Sequence, residues 1–454
     1  MFDYILILFY ILSIYWLILD KNLKFILFVL VSSSVVQVFD KPFYLQIQYF
    51  EFIGLGFLFF RFKYILKNFK AYNGYILLFL IPFFIGLIDT FVPFEFTSFN
   101  FDERFEVFIK AIGRVFGFLG GTFFLLYCQE KFKFNLVYLF NILCIAILIS
   151  CLFSLIIYFE IKSPYNLLKG ESYTPNFEDV IFKYRLSGFS YEPRLMGYMC
   201  VCNIFIIDLI ISNKVYKLVF ICFSIVCLVL TFSTSSLIFL FYLSSFFLLI
   251  RVSIRKLFTG FSIGGIFIGT IYFLFYDYLS QIIDQVLLNF EKRISFDKSF
   301  DLNIFPNFFS TFELHDLPLI YYFDRNIFKV VFGFGYGLGR IFIAPYSWVS
   351  DFTGESLNII GTSTCCEPMI GFVYFLSVGG ILFLLSWCIF ILFMFIRFIL
   401  KCQNMVSLQE RKLFYLVFAC VFFILFQVPQ SSIIYLFYFI LFFSRKFYLH
   451  KLTD

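Results

Sequence analysis

The sequence predicts an all-α integral membrane protein, a polytopic bundle of eleven to thirteen transmembrane helices with one large loop outside the bilayer. Three observations predict it. Of 454 residues, 62% are hydrophobic and only 14% charged, with a mean hydropathy of +0.94. A soluble domain carries roughly a quarter of its residues as Asp, Glu, Lys and Arg, and half that fraction cannot cover a globular surface of this size. Apolar runs of about 18 to 20 residues, the length that spans a bilayer, recur along the whole chain. Backbone polar groups have no water partner in lipid, so such runs form helices or closed barrels. The ten-residue alternation of a barrel is absent.

Thirteen spans follow in order: 2–19, 25–39, 43–60, 72–90, 107–127, 134–158, 195–212, 218–232, 235–250, 257–276, 367–396, 413–428 and 431–444. The first lacks a basic leader and a small-residue cleavage site, so it reads as a retained helix. Gln46, Gln48 and Glu51 interrupt the third, and the last two are short. Lys and Arg concentrate in one set of alternate connections: Lys21, Lys24; Arg61, Lys63, Lys67, Lys70; Lys131, Lys133; Lys214, Lys217; Arg251, Arg255, Lys256; Arg397, Lys401, Arg411, Lys412; Arg445, Lys446, Lys451. These are more than half of the 35 basic residues, accompanied only by Asp20, Glu130, Glu410 and Asp454. Basic connections stay in the cytoplasm, which predicts a cytoplasmic C-terminus and places 91–106, 159–194 and 277–366 on the far side. The chain thus divides into an N-terminal bundle over 1–276, a large outer loop over 277–366, and C-terminal helices with a cytoplasmic tail over 367–454. The loop has two amphipathic stretches, Tyr278 to Phe290 and Asn303 to Phe312, and its Phe, Tyr, Ile and Leu content argues for a folded segment.

The 78 Phe serve as bulk hydrophobe, and the 12 Cys lie mainly in apolar runs (Cys144, Cys151, Cys222, Cys227, Cys388, Cys420), where a thiol acts as a small hydrophobe. Cys365 and Cys366 are adjacent, and no CxxC or metal spacing occurs. Two histidines in the whole chain argue against a transition metal, and the composition calls for no cofactor and no nucleic-acid partner.

Ionisable residues in apolar spans are costly and mark cavities. Lys110 and Arg114 stand four residues apart on one face of the fifth span. Lys110 suits interfacial snorkelling; Arg114 lies a turn deeper between Gly113 and Gly117. The run from Arg185 to Gly197 holds Arg185, Gly188, Glu192, Pro193 and Arg194 at the outer start of the seventh span. Pro193 fits the first helical turn and Glu192 the positive end of the helix dipole; two arginines, a carboxylate and two glycines there point to an anion site, against the plainer reading of a helix cap. The long loop offers Arg293, Arg325, Arg340 and Glu355, with Gly333, Gly335, Gly337 and Gly339. As a phosphate fingerprint this glycine run is weak, and a tight turn before a helix explains it. Glu367 and Pro368 open the eleventh span, followed by Gly371, Gly379 and Gly380, and Asp208 stands near Lys214.

At these residues the chain resembles the O-antigen polymerase and ligase superfamily. The similarity rests on Arg185, Gly188, Glu192, Pro193 and Gly197; on Thr231, Ser233 and Ser235 at a tight outer turn; on Arg293 and the glycines from Gly333 to Gly339 in the large loop; on Val378-Gly379-Gly380-Ile381 as a Gly-rich helix start; and on Gln427-Val-Pro429-Gln430 between two short final helices. It covers roughly 180–444, in order. The resemblance implies a GT-C-like glycosyltransferase of the bacterial inner membrane with a periplasmic loop. It would join lipopolysaccharide or other polysaccharide repeat units carried on undecaprenyl pyrophosphate, without metal and with a separate chain-length regulator as membrane partner. On that resemblance Arg185 and Arg293 hold pyrophosphate, Glu192 orients them or acts as base, and Arg114 supports; Arg194, Arg325, Arg340 and Lys110 complete the substrate-binding candidates. Ligases carry a His before the helix that follows the loop, where this chain reads Gly361-Thr-Ser-Thr-Cys-Cys366-Glu367-Pro368. That favours a polymerase. A ligase, a lipid-linked oligosaccharide flippase or other transporter, and a non-catalytic scaffold of envelope assembly remain as alternatives.

Overall fold

A computed structural model describes residues 2–36, 48–69, 73–91, 101–158, 186–190, 193–251, 327–335, 371–401, 407–425 and 433–442. All regular structure among them is helical: α1 (Phe2–Ile18), α2 (Leu23–Ser33), α3 (Tyr49–Phe60), α4 (Phe62–Phe69), α5 (Asn73–Phe91), α6 (Phe101–Phe132), α7 (Leu136–Tyr158), α8 (Pro193–Ile210), α9 (Lys214–Leu230), α10 (Thr234–Arg251), α11 (Ile327–Phe332), α12 (Gly371–Lys401), α13 (Leu408–Phe423) and α14 (Ile433–Phe442). Four of them, α6, α7, α8 and α12, contain stretches long and apolar enough to cross a membrane, and shorter apolar helices surround them. Their outward faces fit lipid. On α7, Ile145, Ile149, Leu152, Phe153 and Ile156 form one exposed stripe, and Ile381, Leu385, Ile389, Leu392, Ile396 and Leu400 do the same on α12. Water would penalise apolar faces of this extent; a bilayer does not.

Twelve of the thirteen expected spans contain a described helix; 257–276 lies outside the described residues, as do both amphipathic stretches of the loop and the Glu367-Pro368 pair. Local chemistry sets several ends. Asn213 Oδ1 accepts from the backbone N–H of Val215 (2.9 Å) and of Tyr216 (3.3 Å) to cap α9. Ser407 and Glu410 form a reciprocal box at the start of α13, with Glu410 N–H donating to Ser407 Oγ at 3.2 Å and Ser407 N–H to Glu410 Oε2 at 3.1 Å. Pro193 does open α8. The polar residues before α3 are a correction: Gln48 and Glu51 start the helix rather than interrupt it, the Gln48 N–H donating to Glu51 Oε2 at 3.2 Å.

Two contrasting contacts hold the bundle. α3 and α6 run side by side and touch backbone to backbone: a Cβ built on Gly54 would overlap the Gly117 carbonyl, one on Gly120 the Gly54 carbonyl, and one on Gly117 would meet Glu51 Cα at 2.9 Å. Gly117, Gly120 and Gly121 of α6 face Glu51, Gly54 and Phe50 of α3, small residues of the kind that let membrane helices approach closely. α12 and α13 pack through stacked rings instead, Phe398 on Phe414 and Phe395 on Phe418, with centroids 3.6 and 3.8 Å apart. Polar glue completes the core: Trp387 Nε1 donates to Tyr438 Oη (2.9 Å), Tyr49 Oη to Ser13 Oγ (2.8 Å) and Asn203 Nδ2 to Ser224 Oγ (3.1 Å).

One end of the bundle collects Asp20, Arg61, Tyr64, Tyr127, Glu130 and Lys131. Lys131 Nζ lies 2.5 Å from Asp20 Oδ2, Tyr127 Oη donates to Asp20 Oδ1 at 3.0 Å, Arg61 stands 3.8 Å away, and Tyr64 Oη donates to Glu130 at 2.7 Å. Burial pushes the Asp20 carboxyl up, yet the bonds and charges of Lys131, Tyr127 and Arg61 outweigh it and hold the group below its ordinary value. Asp208 meets Lys217, not Lys214, at 3.3 Å, and Gln409 Nε2 donates to the Leu209 carbonyl at 2.8 Å, joining α13 to the same end. The opposite end contains residues 186–190, the α9–α10 turn, α11, and the start of α12.

Candidate functional site

Two groups of residues at that opposite end form the candidate site. The first is built from the segment 186–190, the start of α8 and the α9–α10 turn. Leu186 N–H donates to the Leu230 carbonyl at 2.9 Å, tying the segment to the end of α9. Gly188 has φ +63, and a Cβ there would press on Met196 Sδ, Ser154 Oγ and Ser150 Oγ, so only glycine turns the chain at this spot. Phe189 N–H reaches Ser150 Oγ at 3.4 Å. Across the gap, Ser236 Oγ donates to the Arg194 carbonyl (3.1 Å) and to Ser233 Oγ (2.9 Å), while Gly197 leaves room for Ser236 and Thr231 against α8. Ser150, Ser154, Ser187, Ser190, Thr231, Ser233 and Ser236 are all buried here. The described parts of the two sequence motifs, 186–190 with 193–197 and 231–235, are therefore neighbours in space, joined through α8.

The second group is made by α5, α11 and α12. The helix α12 is broken in its first third: Gly379 (φ −153, ψ 19) and Gly380 (φ 65, ψ −169) leave the helical region. Carbonyls that an unbroken helix would direct to residues 381 and 382 accept from the loop instead, Ser377 O from the Phe334 N–H (2.7 Å) and Val378 O from the Gly335 N–H (2.9 Å). Non-helical backbone is tolerated at such depth only when protein or water satisfies it. Gly333 caps α11 with φ +70 and its N–H bonded to the Lys329 carbonyl at 2.8 Å. A Cβ on Gly333 would strike the Gly379 and Gly380 nitrogens, and one on Gly335 (φ +88) would overlap the backbone of Gly86. Phe334 is fully buried between these contacts.

Beside this junction Lys329 Nζ lies 2.5 Å from Asp89 Oδ2, both side chains 9% exposed, and 5.1 Å above the Phe334 ring. Burial lowers the Lys329 ammonium below its ordinary value while the Asp89 carboxylate opposes the shift. Gly86 packs on the Phe108 ring where α5 meets α6, and Arg104, one turn before Phe108, is buried. Among the described residues no cluster of three or more His, Cys, Asp or Glu is arranged to hold a metal ion.

Three of the expected site residues lie among these described residues. Arg194 is half-buried at the first group, with its carbonyl held by Ser236. Arg114 is half-buried on α6, three residues before Gly117, where α6 touches Glu51. Lys110 is exposed and pairs with Glu106 at 2.5 Å, one turn earlier on α6, which begins at residue 101 rather than 107. Arg185, Glu192, Arg293, Arg325 and Arg340 lie outside the described residues; the residues that follow Arg185 and Glu192, Leu186 and Pro193, are buried.

Gly333 ends α11, and the rest of the glycine run, Gly337 and Gly339, lies outside the described residues. Gly379-Gly380 stands at the kink where the second helical piece of α12 begins, in line with the Gly-rich helix start expected there, while a first piece runs up to it from Gly371. That the loop backbone meets this kink has no local signal, because it depends on two segments distant in sequence coming together. Asp89, Arg104, Glu51 and Lys329 were not anticipated. Asp89 carried a usable signal, a lone acid at the end of an apolar span; Lys329 in a charged loop carried none. No protein-family model matches the chain, and no curated protein matches it.

Proposed function

We propose that the chain is a metal-independent membrane glycosyltransferase that polymerises oligosaccharide repeat units carried on undecaprenyl pyrophosphate, working at the periplasmic face of the bacterial inner membrane. One observation supports this reading above the others. Described parts of two motifs on which the superfamily resemblance rests meet at one end of the bundle, Arg194 and Gly197 of the first lying against Thr231 of the second and the adjoining Ser236.

The chemistry asks for two things. An acceptor hydroxyl oxygen forms a bond to the anomeric carbon, and the bond to the pyrophosphate oxygen breaks with its electron pair staying on the leaving group. Arginines suit the departing pyrophosphate because their planar, permanently charged forks bind phosphate oxygens in pairs. In a dry site such charges stabilise the transition state strongly. Arg185 and Arg293 are assigned this task with Arg114, Arg194, Arg325 and Arg340 supporting, and Glu192 is assigned to receive the hydroxyl proton or to orient the arginines. A lipid-linked donor also explains why the site belongs at a bilayer boundary.

The test is a gene deletion with surface glycan resolved on gels, complemented by wild type, Arg185→Ala and Arg293→Ala at equal membrane levels. Single repeat units on the lipid core, unrescued by either variant, are expected. Full-length polymer accumulating on the carrier would identify a ligase. The broken helix α12 is a feature that transporters also use at their binding sites; repeat units stalled on the cytoplasmic face would establish that second reading and remove the arginines from catalysis.

A further inference from the structure

We infer that Asp89 and Lys329 are positioning residues, a buried ion-pair latch that keeps segment 327–335 of the long loop seated in the break of α12. Four observations converge on one junction. The pair is short and screened from solvent, at 2.5 Å with both side chains 9% exposed. The seated segment supplies the N–H groups that satisfy Ser377 and Val378 in the broken helix. A Cβ on Gly333, Gly335 or Gly380 would overlap the facing backbone of Gly379, Gly86 or Val331 respectively, so glycine there lets these backbones meet. Lys329 is the one charged residue of α11, and its ion pair with Asp89 ties that helix to the bundle.

The consequence is a two-state element. With the segment seated, α12 remains broken and its carbonyls are satisfied by the loop. With the segment released, those carbonyls need other donors, which α12 can supply by closing its own helical ladder across 379–380. The latch favours the seated state because the pair holds two opposite charges together out of water, and removing either one takes away a buried counter-charge. In sequence, Arg325 precedes the seated segment by two residues and Arg340 follows it by five, so the latch fixes the stretch of loop between two of the arginines proposed to bind substrate. That last step rests on the glycosyltransferase reading; the seating itself does not.

The experiment uses the full chain in lipid nanodiscs and follows hydrogen–deuterium exchange of the peptide containing Phe334 and Gly335, with peptides of α8 as a control for an intact fold. Asp89→Asn and Lys329→Met are each expected to speed exchange of the Phe334 and Gly335 amides at least tenfold while α8 is unchanged. The charge swap D89K/K329D, which keeps both ions, is expected to recover part of the protection, and Asp89→Glu most of it. In cells the same single variants are expected to shorten the glycan ladder and the swap to lengthen it again. Unchanged exchange in both single variants would overturn the latch, as would a swap no better protected than the singles. Faster exchange beside a full-length ladder would overturn the positioning role. A wild-type chain that extends no glycan, with the exchange pattern as expected, would sink the glycosyltransferase reading and leave the latch in place.

Discussion

The molecule has two Asp–Lys pairs of equal length in opposite surroundings. Asp20 and Lys131 meet at 2.5 Å with side chains 34% and 36% exposed, backed by Tyr127 and Arg61. Asp89 and Lys329 meet at the same distance with both side chains nearly closed off. In the first case water and several partners share the charge, so the loss of any one is cushioned. In the second both ions were taken out of water, where a lost counter-charge is costly. Distance alone says nothing about what a pair does; desolvation decides. The exposed pair ties the turn between α1 and α2 to the end of α6, whereas the buried pair commits a segment of the long loop to one place on the bundle.

That contrast can be broken at its strong side first. Asp89→Asn or Lys329→Met strands a buried charge and is expected to cost about 3–5 kcal/mol, read as loss of the thermal unfolding midpoint of the purified chain in nanodiscs. A cost below about 1 kcal/mol would make the two pairs equivalent and the comparison empty. Gly380→Ala comes next. Its φ of 65 and ψ of −169 belong to a region nearly restricted to glycine, and a Cβ would overlap the Val331 carbonyl. About 1–3 kcal/mol is expected, together with faster exchange at Phe334, since strain at the break and loss of the latch act on the same junction. Asp20→Asn should cost at most about 1 kcal/mol, and high salt should shrink that difference while leaving the Asp89 effect nearly whole. The smallest effect is the pH dependence of the exposed pair. Because its partners hold the Asp20 carboxyl below its unfolded value, its contribution is present at neutral pH. It fades as pH falls below about 4 through the depressed value. The midpoint difference between wild type and Asp20→Asn should therefore vanish in acid; a difference that grew on acidification would reverse the assigned sign.

The motif residues Arg194, Gly197 and Thr231, with the adjoining Ser236, do come together. The glycines at 117 and 121 were equally open to reading, since a four-residue spacing of small residues marks a close helix crossing. Lys329 was not legible. A lysine in a charged loop looks like every other solvated lysine until the bundle packs against it.

The sequence by itself determined the helical class, the membrane-spanning lengths and several helix ends. Hydrophobic length and capping are local: twenty apolar residues meet lipid wherever they occur, and Asn213, Pro193 or Ser407 with Glu410 fix their ends within one turn. Only the tertiary structure decided that Asp89 is answered by a lysine 240 residues away, and that the kink at Gly379-Gly380 is met by the backbone of Phe334 and Gly335. Both depend on which backbone donors and which counter-charge reach a given depth, and packing alone sets that.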